Sequence, residues 1–122
     1  MTQKNVIIAD DFRTVRSIVK KTLEKKDFRV LEAVDGNDAL KYFDGRKIDL
    51  VITDYDMPKM NGAELIKKVK TMFQYRNTPF IMLTTKKKEK KQEEIRGLDL
   101  KDWIEKPFTI DKFLTTINKV TG

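Results

Sequence analysis

The sequence predicts an α/β domain whose parallel sheet is covered by helices on both faces. Three observations predict it. Short apolar, β-branched segments recur five times, near Val6–Ala9, Arg29–Ala33, Leu50–Thr53, Phe80–Thr84 and Trp103–Glu105. The intervals between them carry apolar residues at three-to-four spacing, the period of a helix with one buried face. The links are short, so each helix returns the chain to the same edge of the sheet, which makes neighbouring strands parallel and buries them on both sides.

Taken in order, Val6-Ile7-Ile8-Ala9 is a continuous apolar run that ends in Asp10-Asp11. Val15, Ile18, Val19 and Leu23 give the first helix its stripe. After the second strand, Asp35-Gly36-Asn37-Asp38 supplies a turn and cap before Ala39, Leu40 and Phe43. The third strand ends in Asp54, and Pro58 forbids its simple extension. Gly62 opens a helix carrying Leu65, Ile66, Val69 and Phe73. A fourth helical stretch, Lys86–Arg96, has Ile95 as its one large apolar residue. Its basic start (Lys86-Lys87-Lys88) and acidic end (Glu93-Glu94) oppose the helix dipole, so it reads as a solvated or partner-facing helix. Thr109 is a cap for the last helix, which carries Ile110, Phe113, Leu114, Ile117 and Val120.

Composition narrows the function. The 122 residues read as one domain, 1–122, without a linker, repeat or second domain. No apolar run approaches ~18 residues, so no membrane span is expected. The amino terminus lacks the apolar core of a signal peptide, and a cytoplasmic location is expected as the simplest one. Cysteine and histidine are both absent, which removes disulfides, thiolate chemistry, and histidine as ligand, base or phosphoryl carrier. The 26 Lys and Arg against 19 acids give a net charge of +7. No basic helix is interleaved with aromatics, so the excess reads as a Lys-rich solvated surface rather than a nucleic-acid face.

In a parallel sheet all carboxyl ends of the strands share one edge, where open α/β folds bind ligands. That edge gathers Asp10 and Asp11, Asp54, Thr84 and Lys106. Three carboxylates together repel one another unless a cation joins them, and a hard divalent ion with oxygen ligands fits: Mg²⁺. Lys106 can neutralise a phosphoryl oxygen as a point charge, and the Thr84 hydroxyl can donate to another. Asp54, the central carboxylate, is left as nucleophile for an aspartyl-phosphate.

Asp10-Asp11, Asp54 with Met57-Pro58-x-Met60-x-Gly62, Thr84 and Lys106-Pro107-Phe108 together resemble the receiver domain of two-component response regulators, along the whole chain. The resemblance implies a flavodoxin-like, five-stranded sheet in the order 2-1-3-4-5 with five helices. It implies that Asp54 takes a phosphoryl group from the phosphohistidine of a sensor histidine kinase, and that the chain assists its own phosphorylation and dephosphorylation rather than acting as an enzyme. Asp10, Asp11 and Asp54, with the backbone carbonyl of Asp56, match the Mg²⁺ ligands. The Lys106–Pro107 peptide is expected to be cis.

Asp10-Asp11-Phe12-x-Thr14-x-Arg16-x-Ile18-Val19 and Trp103-Ile104-x-Lys106-Pro107-Phe108 are similar to the stand-alone chemotaxis receivers. That likeness implies a monomer whose phosphorylation changes affinity for a flagellar motor switch protein or other output protein, with a phosphatase as a further possible partner. Thr84 and Trp103 match the switch pair, with Trp where Tyr or Phe is usual. Asp56 and Lys86, two residues past Asp54 and Thr84, are expected to pair across the mouth of the site and slow the hydrolytic water.

Three other readings compete. A phosphorelay intermediate would use the same site but pass the phosphoryl group to a histidine phosphotransfer protein. A haloacid-dehalogenase-type phosphatase shares Asp54-x-Asp56, but carries that motif on its first strand in a longer chain. A DNA-binding regulator needs a helix-turn-helix segment, and none follows the fifth strand.

Overall fold

The computed structural model describes residues 3–85 and 97–121. Five strands, β1 (Asn5–Ala9), β2 (Arg29–Ala33), β3 (Leu50–Asp54), β4 (Phe80–Thr84) and β5 (Asp102–Glu105), form one sheet in the order β2-β1-β3-β4-β5. Every pairing is parallel. The helices among the described residues are α1 (Arg13–Glu24), α2 (Gly36–Leu40), α3 (Gly62–Lys70) and α4 (Ile110–Thr121), with a 3-10 turn at Phe73–Tyr75. The fifth helix expected at Lys86–Arg96 lies outside the described residues. The Lys106–Pro107 peptide is cis, as expected. No helix among the described residues is long and apolar enough to cross a membrane.

The strands alternate between two cores. Ile7, Ala9, Val51, Phe80 and Met82 face Ala39, Leu65, Ile66 and Val69 of α2 and α3. Val6, Ile8, Leu50, Ile52, Ile81, Leu83 and Ile104 face Val19 and Leu23 of α1 and Phe113 and Ile117 of α4. Each fully buried aliphatic side chain contributes roughly 1.5–3 kcal/mol by leaving water. This double coverage explains why the strands read as unbroken apolar runs rather than alternating ones.

The strand predictions hold to within a residue at each end. Three helical expectations do not. α2 closes at Leu40, and Phe43 reaches the core from the turns that follow. α3 ends at Lys70, so Phe73 leaves the predicted stripe and is 80% exposed, beneath the Arg76 guanidinium at 4.5 Å. Tyr75 takes the buried place instead, packed edge-on against Phe43 at 4.9 Å, with its hydroxyl accepting from Gly45 N–H and donating to the Arg46 carbonyl. Ile18 and Ile110 stand exposed rather than in the stripes of α1 and α4.

The start of α3 fixes the phosphoacceptor candidate. Asn61 and Glu64 form a reciprocal capping box, and Gly62 N–H donates to the Tyr55 carbonyl at 2.9 Å. This draws Gly62 so close that a Cβ there would run into the Asp54 carbonyl oxygen and lie 2.9 Å from the Met82 sulfur. Gly62→Ala is therefore expected to cost about 1–3 kcal/mol in urea unfolding. Gly97→Ala, with nothing within 4 Å of the new methyl, is the control and should stay within about 0.5 kcal/mol of wild type.

Candidate functional site

Sheet parity sorts the site. Asp10, Asp54 and Lys106 continue the alternation of Ile8, Ile52 and Ile104, so all three belong to the α1/α4 face. Thr84 and Trp103 share the parity of Met82, on the α2/α3 face. Asp10 is held at the end of β1 by its N–H on the Ala33 carbonyl at 3.0 Å. Lys106 N–H donates to the Thr84 carbonyl at 2.6 Å, which ties the end of β5 to that of β4.

These constraints bring Asp10, Asp11, Asp54 and Lys106 together. The Lys106 ammonium donates to Asp10 Oδ2 at 2.7 Å and lies 3.4 Å from Asp54 Oδ2. The other oxygen of Asp10 accepts from Phe12 N–H at 2.9 Å. Asp10 and Asp54 are buried and Asp11 is exposed, yet one oxygen from each lies within 4.8 Å of the others. Burial pushes the Asp54 carboxyl up to about 6, with the Asp10 charge adding to the rise and Lys106 opposing it. Among the described residues, the Lys106 ammonium does not by itself offset three carboxylates. The remaining negative charge, carried on hard oxygen donors, fits a divalent cation such as Mg²⁺.

The other expected residues are near but differently engaged. Thr84 is fully buried, and its hydroxyl donates to the Thr85 carbonyl at 3.4 Å. Trp103 is half-buried against the α2/α3 core, in register with Met82 and two residues along β5 from the partner of Thr84. Asp56 is exposed at the mouth. The pairing expected of Asp56 with Lys86 involves a residue outside those described.

Sequence reasoning missed the apolar lip beside the site. A groove of about 600 Å³ reaches Asp54, Asp56 and Lys106, and is walled by Phe12, Val15 and Ile18 from the α1 side and by Pro107, Phe108 and Ile110 from the loop into α4. Phe12, Ile18 and Ile110 are among the few exposed large apolar side chains. The sequence carried a signal for it: the apolar positions of α1 span more of the helix than one packed face needs. It also carried Arg16, whose side chain enters the site's frame.

A doubly wound sheet that buries a carboxylate pair and a lysine at its carboxyl edge defines a receiver-type phosphoacceptor domain. Residues 6–118 match the family model described as response regulator receiver domain, and the chain belongs to that family. It is 36% identical to chemotaxis protein CheY1 of Helicobacter pylori over 121 residues, covering 96% of each chain. The solved structure of CheY4 of Vibrio cholerae superimposes with a TM-score of 0.90 at 34% identity, covering 98% of this chain and 99% of that one. Response regulator GtcR of Aneurinibacillus migulanus is 34% identical over 105 residues, but the chain spans only 42% of its length.

The raised Asp54 has a consequence for stability. The folded chain holds this proton more tightly than the unfolded chain, so stability is lost as pH rises from the ordinary value of 3.8 through about 6. Without divalent cations, Asp54→Asn should therefore gain on the order of 2 kcal/mol at about pH 7.5, and little at about pH 4. Chemical unfolding with a chelator at the two pH values measures it; an equal effect at both would contradict the assignment.

Proposed function

We propose that this chain is a CheY-like receiver that accepts a phosphoryl group on Asp54 from the phosphohistidine of a sensor kinase and thereby changes its affinity for an output protein in chemotaxis. The observation that carries this reading is the Lys106 ammonium lying between Asp10 and Asp54 at the carboxyl edge. In the transfer, an Asp54 carboxylate oxygen forms a bond to phosphorus as the phosphorus–nitrogen bond to the imidazole breaks, and the electron pair leaves with that nitrogen. Lys106 is placed to follow the charge onto a phosphoryl oxygen, which also frees Asp10 from its 2.7 Å contact. Asp10, Asp11, Asp54 and the Asp56 carbonyl oxygen would hold Mg²⁺, whose divalent charge would neutralise the phosphoryl oxygens.

The apolar groove supports a protein donor. A histidine-bearing helix can bury its apolar side against Phe12, Ile18 and Ile110 while its phosphohistidine enters the charged end of the same groove. On the far face, Thr84 and Trp103 form the switch: movement of Thr84 toward the phosphoryl group vacates space that the indole fills. Asp56 and Lys86 then tune how fast water reaches Asp54. An exposed pair is worth about 0–1 kcal/mol, so the effect on decay is several-fold.

Four measurements test this. Asp54→Asn should lose all incorporation from kinase and from acetyl phosphate; retained incorporation moves the nucleophile elsewhere. Ile18→Asp should slow transfer from the kinase about tenfold or more while leaving transfer from acetyl phosphate unchanged, because only the kinase covers the lip. Trp103 fluorescence quenching that is the same with and without phosphoryl would remove the switch. An affinity for a flagellar motor switch protein that ignores phosphorylation would place the output elsewhere.

A further inference from the structure

We propose that Arg16 is a positioning residue for the cation site: it fixes the corner between β1 and α1, and through that corner the carboxylates of Asp10 and Asp11. The inference rests on the reading of that cluster as the Mg²⁺ site. Arg16 Nη1 donates to the Asp10 carbonyl oxygen at 2.7 Å, and its Nε lies 3.4 Å from Glu32 Oε1 on β2. Its side chain is only 13% exposed. Glu32 is further steadied by Lys20 at 3.4 Å, one turn along α1.

The corner needs such a clamp. α1 begins without a side-chain cap on Phe12 and without an acid in its first turn, so the usual devices that pin a helix start to the preceding strand are missing. The Asp10 peptide is past the last paired residue of β1, and its carbonyl is met by Arg16 from inside the helix. With that carbonyl held, the Asp10 N–H on Ala33 and the Asp10 carboxylate on Phe12 N–H are held with it. A guanidinium suits the task because its rigid fork can address Asp10 and Glu32 on adjacent strands at once, which an ammonium cannot do with the same geometry.

Two effects of Arg16 on cation affinity have opposite signs, which makes the proposal decidable. Its charge alone repels Mg²⁺, whereas its positioning of the carboxylates favours Mg²⁺. If positioning wins, removing Arg16 weakens binding; if the charge wins, removing it tightens binding.

The test is Mg²⁺ titration of the full chain, by calorimetry and by amide NMR shifts of Asp11 and Phe12, for wild type, Arg16→Lys, Arg16→Met and Glu32→Gln at fixed ionic strength. Arg16→Met should weaken Mg²⁺ binding about tenfold, the low end of what removing a group that orients a metal ligand costs, with Arg16→Lys several-fold and Glu32→Gln about twofold weaker. Phosphorylation by acetyl phosphate should need proportionally more Mg²⁺ but reach the wild-type rate at saturation, a split that loss of stability alone would not produce. Unchanged or tighter Mg²⁺ binding by folded Arg16→Met overturns the proposal. Should that variant not fold, Glu32→Gln decides, and wild-type affinity there overturns it equally. Wild type that binds no Mg²⁺ takes down the reading of the cluster and this inference together; wild type that binds while all variants match it takes down the inference alone.

Discussion

The structure is organised around an electrostatic conflict: two buried carboxylates, Asp10 and Asp54, share the Lys106 ammonium, with a third carboxylate, Asp11, at the rim beside them. Burying unpaired charge costs several kcal/mol, and an imperfectly neutralised cluster recovers only part of it. The fold tolerates the cost because the groups are carried on the ends of strands that are locked by ladders and by two apolar layers. The carboxylates cannot swing away to solvent. On the proposed function, the same excess of negative charge would favour a cation, and a phosphoryl group would offer Lys106 further oxygen partners.

In the proposed switch, the same rigidity would carry a change at Asp54 to the other face of the sheet. Asp54 and Lys106 have the parity of the α1/α4 core, while Thr84 and Trp103 have that of the α2/α3 core. The two sides meet where Lys106 N–H donates to the Thr84 carbonyl at 2.6 Å. Displacement of the Lys106 side chain therefore acts on a backbone that Thr84 also uses. Gly62 adds a second constraint, since α3 begins against the Asp54 carbonyl with no room for a side chain.

Much of this was legible because it depends on short-range patterns whose geometry is fixed. A buried parallel strand reads as an apolar run, its end is marked by the first acid or lysine, and a parallel sheet places all such ends on one edge. Asp10, Asp11, Asp54, Thr84 and Lys106 follow from that alone. Where the sequence misled, competing burial decided. Phe73 fits the helical period of α3, but Tyr75 has both a ring for Phe43 and a hydroxyl for the Gly45–Arg46 backbone, so the chain turns to bury Tyr75. Ile18 and Ile110 have the period of core positions but lie on the flank of the groove. Arg16 stood in the sequence motif without a role, because a charged residue in an amphipathic helix ordinarily faces solvent; only the tertiary fold shows its fork between two strands.

α1 joins these two kinds of surface. Arg16 points from it toward the Asp10 carbonyl, and Ile18, two residues on, opens onto the groove that ends at Asp54. Exposed apolar side chains scattered singly mean little, but three of them around one groove that runs into a charged site form the lip that the proposed function assigns to the phosphoryl donor. On the proposed function, the charged end of that groove carries the phosphoryl chemistry. The apolar end differs in kind: it contacts no reacting atom, so substitutions there can change which protein delivers the phosphoryl group without changing how Asp54 receives it. Separating recognition from reaction along one helix lets specificity vary while the strand-end geometry that the chemistry requires stays fixed.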